Sequence, residues 1–187
     1  MRLFVSVDLP AALAAPVREV QSEFSGASGL DFTDPEQAHL TLKFLGEVEP
    51  DRVEAIVEAL ERAVARADLD PFEATFEGLG VFPSLEYINV LWLGVGQGSE
   101  QFQRLQAPIE DELTDLGFAP EDHEFTPHVT LARIHHAGGK SLVQELVTER
   151  EPTVGSMTVD AVSLTRSHLT DDGPEYETVD RVGLAER

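Results

Sequence analysis

Two histidines each stand two residues before a threonine, in the strings HLTLKFLG (39–46) and HVTLARIH (128–135). Side chains alternate across an extended strand, so His39 and Thr41 share one face while Leu40, Leu42 and Phe44 share the other. His128 and Thr130 pair in the same way, with Val129 and Leu131 opposite. Each string therefore buries an aliphatic row and presents an imidazole and a hydroxyl to the other side. An imidazole pKa of about 6.5 allows one ring to accept a proton while the other donates one near neutrality. Two hydroxyls can donate to non-bridging phosphoryl oxygens as charge grows there. This set suits the in-line opening of a phosphodiester, and a 2',3'-cyclic phosphate is already strained toward it. One His-x-Thr in a strand carries little meaning. A second copy in an equivalent setting makes His39, Thr41, His128 and Thr130 the candidate catalytic residues.

The surrounding sequence supplies that setting. Residues 2–8 alternate as a strand, with Leu3, Val5 and Val7 against Arg2, Ser6 and Asp8, and with Phe4 on the polar side. A helical pattern from about 10 to 24 leads to the strand at 38–46. A second helix carries Val53, Ile56, Val57, Leu60 and Val64 at helical spacing, and strands follow in PFEATFEGLG and EYINVLWLGV. A helix over 99–116, a strand over 126–134 and a helix over 140–149 repeat the order. Strands near 153–166 and 175–184 close the chain. Even the approaches match, DFT before the first motif and EFT before the second. The expectation is an α+β fold made as one domain over 1–187: a bilobal, pseudo-twofold duplication with two antiparallel sheets flanking a central cleft and helices outside.

Composition limits the alternatives. The chain has 187 residues, no cysteine, and 35 acidic against 13 basic side chains, a net charge of -22. Thiolate catalysis and cysteine-based zinc sites are excluded. No apolar run reaches the roughly 20 residues that span a bilayer, and Asp8 and Pro10 interrupt the short apolar start, so a cytoplasmic protein is expected. A monomer is the accompanying expectation, although no motif in the chain bears on oligomeric state. Lys43 and Lys140 are its two lysines, beside eleven arginines. Acid spread along the whole chain, with lysine nearly absent, reads as adaptation to molar salt, where the Debye length falls to about 3 Å. A phosphate ligand then depends on local groups. Lys43, on the same face as Thr41 by alternation, is one candidate substrate contact. Phe125 is another, as a surface for a base, with a core position as its alternative. Trp92 is assigned to the core. His123, His135 and His136 near the second motif raise a metal-site alternative, but zinc takes three or four converging protein ligands. These three and His168 are read as surface or turn residues, and neither a metal nor another cofactor is expected.

Taken together, HLTLKFLGEV, FTPHVTLAR, RLFVSVDLP, GLGVFPS before VLWLGV, and LTRSHLTDDGPEY resemble the RNA 2',3'-cyclic phosphodiesterases, historically the 2'-5' RNA ligases, of the two-histidine phosphoesterase superfamily. The resemblance covers nearly the whole chain. It implies hydrolysis of a 2',3'-cyclic phosphate, on an RNA end or a nucleotide, to a 2'-phosphate, with His39 as the proton donor to the departing 3'-oxygen and His128 as the base toward water. It also implies a phosphate contact for Arg133. Strict alternation puts Arg133 with Val129 and Leu131, so it reaches the cleft only through a strand end or a bulge. SLEYIN departs from the family, which often carries basic residues there. The alternatives are an RNA-end binding or transfer-RNA processing protein with little turnover, or the same chemistry on 2'-5' linked or ADP-ribose cyclic phosphate substrates.

Overall fold

A computed structural model describes residues 1–184. Its strands are β1 (Arg2–Asp8), β2 (Leu30–Phe32), β3 (His39–Glu47), β4 (Phe72–Pro83), β5 (Ile88–Val95), β6 (His128–Ile134), β7 (Thr153–Val159), β8 (Ala161–Thr170) and β9 (Gly173–Gly183). Its α-helices are α1 (Ala14–Ser22), α2 (Val53–Ala67), α3 (Ser99–Asp115) and α4 (Lys140–Glu149). The expected bilobal α+β fold is present. One half of the sheet runs β7-β4-β5-β6 and the other β3-β1-β8-β9, all antiparallel, and the single register pair Leu40↔Val129 joins them edge to edge. The two sheets are thus continuous through one contact, and the whole curls into a half-barrel.

The segment expected as one strand over 153–166 is two strands broken at Asp160. β7 pairs with β4 in one half and β8 pairs with β1 in the other. The lobes are therefore not the two halves of the sequence. One uses both ends of the chain, and the other uses the contiguous stretch from β4 to β7. The helices cross reciprocally: α1 leaves β1 and packs on β6 and β7, whereas α3 leaves β5 and packs on β3. In α2, Ile56, Ala59, Leu60, Ala63, Val64 and Ala67 repeat at intervals of three and four and face the core, and Asp68 ends the helix in the left-handed region (φ 53°).

Both motif strands carry a bulge at the same point. On β3 the register steps from Ser6↔Thr41 to Val5↔Lys43, two residues against one on β1. On β6 it steps from Trp92↔Thr130 to Leu91↔Ala132. The extra residue reverses the alternation beyond it. Leu42 and Lys43 are consequently both buried, as are Leu131 and Ala132, and the next residues, Phe44 and Arg133, turn out to the opposite side.

This corrects two expectations. Lys43 does not face the cleft. It is 1% exposed, and its Nζ donates to Glu110 Oε2 at 2.8 Å and to the Ala119 carbonyl at 2.9 Å, with Glu121 at 4.0 Å. Phe44 does not join Leu40 and Leu42 in the core, because its ring packs beside Phe4 and remains exposed.

Candidate active site

β3 and β6 open with His39 and His128, and both rings are oriented in the same manner. His39 Nδ1 lies 3.0 Å from the Gln37 carbonyl and His128 Nδ1 lies 2.6 Å from the Thr126 carbonyl. A carbonyl can only accept, so each Nδ1 carries the hydrogen and each Nε2 is left to exchange a proton. The carbonyl two residues back therefore fixes the tautomer in both lobes. The two rings are close enough for the charge of His39 to bear on His128, whose protonation it disfavours.

Aromatic side chains wall the two imidazoles. Around His39 stand Phe4, with centroids 5.0 Å apart, and Tyr176, edge-on at 5.0 Å. Around His128 stand Phe82, edge-on at 4.9 Å, and Trp92 at 5.9 Å. Trp92 is thus a half-buried wall of the site rather than the core residue expected from its apolar strand. Gly80 makes room for it, since a Cβ there would lie 2.1 Å from the indole Cζ2. Gln37 holds the Tyr176 wall in place by donating to the Pro174 carbonyl and accepting from the Tyr176 N–H, both at 2.9 Å.

Burial dominates the electrostatics. It pushes the pKa of both histidines below the usual imidazole value, and Arg133 adds to the depression at each. The backbone carbonyls oppose it at both rings. His39 alone has a carboxylate working in its favour, that of Asp8, which faces it across the β1–β3 pair. Asp8 is held by Ser6 Oγ at 3.1 Å, itself 3.0 Å from Thr165 Oγ1. His128 has cationic or titrating neighbours instead: His39, Arg133 and His123. Burial also raises the Tyr176 phenol, offset by Arg133 and Arg2.

The structure therefore brings His39, Thr41, His128, Thr130 and Arg133 to one face. Arg133 gets there through the bulge that alternation alone required, while Lys43 goes to the other side. Phe125 is half-buried with its ring packed on the core, and its carbonyl accepts from Gln103 Nε2 at 2.7 Å. The histidines near the second motif do not gather. His123 pairs with Asp122, His135 lies 3.5 Å from Asp31, and His136 Nδ1 accepts from the Gly138 N–H. Glu121, Asp122 and His123 come within ligand distance of one another, but all three are exposed. His168 bonds Glu177 at the surface.

Several positioning groups escaped sequence reasoning. DFT and EFT look alike yet act differently. Asp31 and Phe32 of DFT pair with Arg133 and Ala132 as β2, and Thr33 Oγ1 donates to the Thr130 carbonyl at 2.9 Å. Buried Gln21 of α1 secures this junction by donating to the carbonyls of Thr33 and Leu131. EFT instead supplies the carbonyl that orients His128. The position of DFT, six residues ahead of its histidine where EFT is only two ahead, was the available signal.

A family model described as the 2'-5' RNA ligase superfamily matches residues 9–171. An RNA 2',3'-cyclic phosphodiesterase of Methanothermobacter thermautotrophicus is 39% identical over 178 residues, covering 94% of this chain and 95% of the relative. Another, from Archaeoglobus fulgidus, is 35% identical over 95% of this chain and 97% of its own. Among solved structures, a Thermus thermophilus protein superposes with a TM-score of 0.79 at 30% identity, over 98% of both chains. The E. coli LigT structure complexed with 3'-AMP gives a TM-score of 0.81 at 24% identity, over 99% of this chain and 98% of that one, a likeness of fold.

Proposed function

Because the chain belongs to the 2'-5' RNA ligase superfamily, we propose that it hydrolyses 2',3'-cyclic phosphates, on RNA ends or nucleotides, to 2'-phosphates by two-histidine acid–base catalysis. The observation that carries this reading is the pair of imidazoles with identical Nδ1 anchoring, each leaving Nε2 to exchange a proton. Neutral His128 Nε2 takes a proton from water as the water oxygen bonds to phosphorus. Protonated His39 gives its Nε2 proton to the 3'-oxygen as the P–O3' bond breaks. The Thr41 and Thr130 hydroxyls and the Arg133 guanidinium stabilise the charge on the non-bridging oxygens. The Asp8 carboxylate supports this order, since it favours the charged form of His39 and His128 has no such partner. Ligation would follow the same steps with the 5'-hydroxyl of a second strand in place of water, a P–O5' bond forming as the P–O3' bond breaks.

No helix among the described residues is long and apolar enough to cross a membrane. A cytoplasmic monomer is part of the proposal, and gel filtration checks the second half of it. Phosphorus NMR with a 2',3'-cyclic nucleotide and a short cyclic-phosphate RNA, in molar salt with EDTA, tests the chemistry. A 2'-phosphate should form, and His39→Ala and His128→Ala should each lower kcat by at least about 10²-fold. Near-normal turnover in either variant overturns the assignment. Tight binding without product would instead indicate an RNA-end binding protein.

A further inference from the structure

His39 and His128 are walled alike, but their walls are not held alike. Phe82 and Trp92, beside His128, stand on β4 and β5, and β5 pairs directly with β6. Tyr176, beside His39, stands on β9, the outermost strand of its half, with β1 and β8 between it and β3. Three strand spacings of about 4.8 Å would put it about 14 Å away across a flat sheet. The two ring centroids are nevertheless 5.0 Å apart. The β8–β9 arm therefore bends over the face that carries His39, and the register shift between Leu164 and Thr165 supplies a bend in β8. Gln37 fastens the arm there. A primary amide carries a donor and an acceptor side by side, as the free edge of a strand does. Gln37 Nε2 donates to the Pro174 carbonyl and Oε1 accepts from the Tyr176 N–H, so the side chain docks on β9 as one more strand would. The backbone carbonyl of the same residue accepts from His39 Nδ1.

We infer that Gln37 is a positioning residue of the reaction: its amide straps the β8–β9 arm across His39, so that the Tyr176 ring keeps water from the general acid. The inference rests on the cyclic phosphodiesterase reading and adds a residue to it. Burial is the largest influence on His39, and Phe4 and Tyr176 are the rings packed on it. Phe4 is buried on β1, which leaves Tyr176 as the removable half of the cover. The charged or titrating groups that bear on His39 come from other strands, Asp8 from β1 and Arg133 and His128 from β6. Freeing the arm moves none of them, so it changes the solvation of His39 and little else. A wetter His39 holds its proton more tightly and is a weaker acid toward the 3'-oxygen.

Gln37→Met keeps the length of the side chain and the carbonyl that anchors His39, and it removes only the amide. The test is proton NMR of the imidazole signals, titrated without substrate, with those of His39 and His128 assigned by their alanine variants. In Gln37→Met the midpoint of His39 should rise toward the usual imidazole value while that of His128 moves little. Tyr176→Ala should raise it likewise, and Gln37→Met/Tyr176→Ala should match Tyr176→Ala alone, because the amide acts through the ring. In turnover of a 2',3'-cyclic nucleotide by Gln37→Met, the falling limb should move to higher pH. Maximal kcat should drop by less than the roughly 10²-fold of losing the acid, with KM little changed. An unmoved His39, an equal shift at both histidines, a further shift in the double variant, or a change confined to KM overturns the inference. If wild-type protein forms no 2'-phosphate, the proposed activity fails, while the titrations still decide the strap.

Discussion

Lys43→Met is the most informative single perturbation of the scaffold, because it asks whether the bulge beside Thr41 is held by an ion pair. The Lys43 side chain is fully buried, and it bonds both the Glu110 carboxylate and the Ala119 carbonyl. Methionine fills nearly the same volume and removes both bonds. Breaking a buried pair from one side costs about 3–5 kcal/mol, chiefly through the carboxylate left behind. Glu110 retains 20% of its side-chain exposure and still accepts from the Glu121 N–H at 2.8 Å and from Thr114 Oγ1 at 3.5 Å. These partners put the expected loss at the lower end, about 3 kcal/mol. For a chain of this size that lowers Tm by about 6–12 °C. Thermal melts in molar KCl are the assay, since a buried pair is screened little by salt. Lys43→Met/Glu110→Leu should recover a large part of the loss, because no uncompensated charge remains. A loss below about 1 kcal/mol, or no recovery in the double variant, would refute the staple and reopen a cleft-facing Lys43.

Burial lowers the pKa of both histidines, so both limbs of the kcat/KM profile should lie on the acid side of the usual imidazole value. The rising limb follows His128 losing its proton, the falling limb His39 losing its own, and activity should decline through neutrality. Asp8→Asn removes the carboxylate that favours charged His39 and should move the falling limb to lower pH while leaving the rising limb nearly in place. A falling limb above about pH 7.5 in the wild-type protein would contradict the assignment. Gly80→Ala puts a Cβ inside the Trp92 ring, so it should displace the sole tryptophan, shift its emission and reduce turnover through His128; unchanged emission and rate would show that the ring is not held there. The net charge of -22 predicts a Tm that climbs as KCl is raised to molar levels, and a flat response would argue against salt adaptation.

What the sequence revealed and what it hid divide along one physical line. Period-two alternation located His39 with Thr41 and His128 with Thr130, because those four residues precede the bulges, where a strand obeys its own spacing. Beyond Leu42 and Leu131 the same rule inverted every assignment: Lys43 went inward, and Phe44 and Arg133 came out. A bulge is set by the partner strand as much as by its own residues, so neither string announces it. The demand that Arg133 reach the phosphate exposed the bulge in β6. Applied to the duplicate, the same reasoning would have turned Phe44 outward and Lys43 into the core. Trp92 was hidden for a related reason. Its strand reads as an unbroken apolar run, and only the space above Gly80, on a neighbouring strand, makes the cleft face the place where an indole fits. The break at Asp160 was hidden too, because β7 and β8 are similar strands whose difference lies in their partners, β4 and β1, on opposite halves of the sheet. Local spacing thus carried the two His-x-Thr pairs, while the placement of Lys43, Phe44, Arg133 and Trp92 depends on contacts between strands distant in the chain.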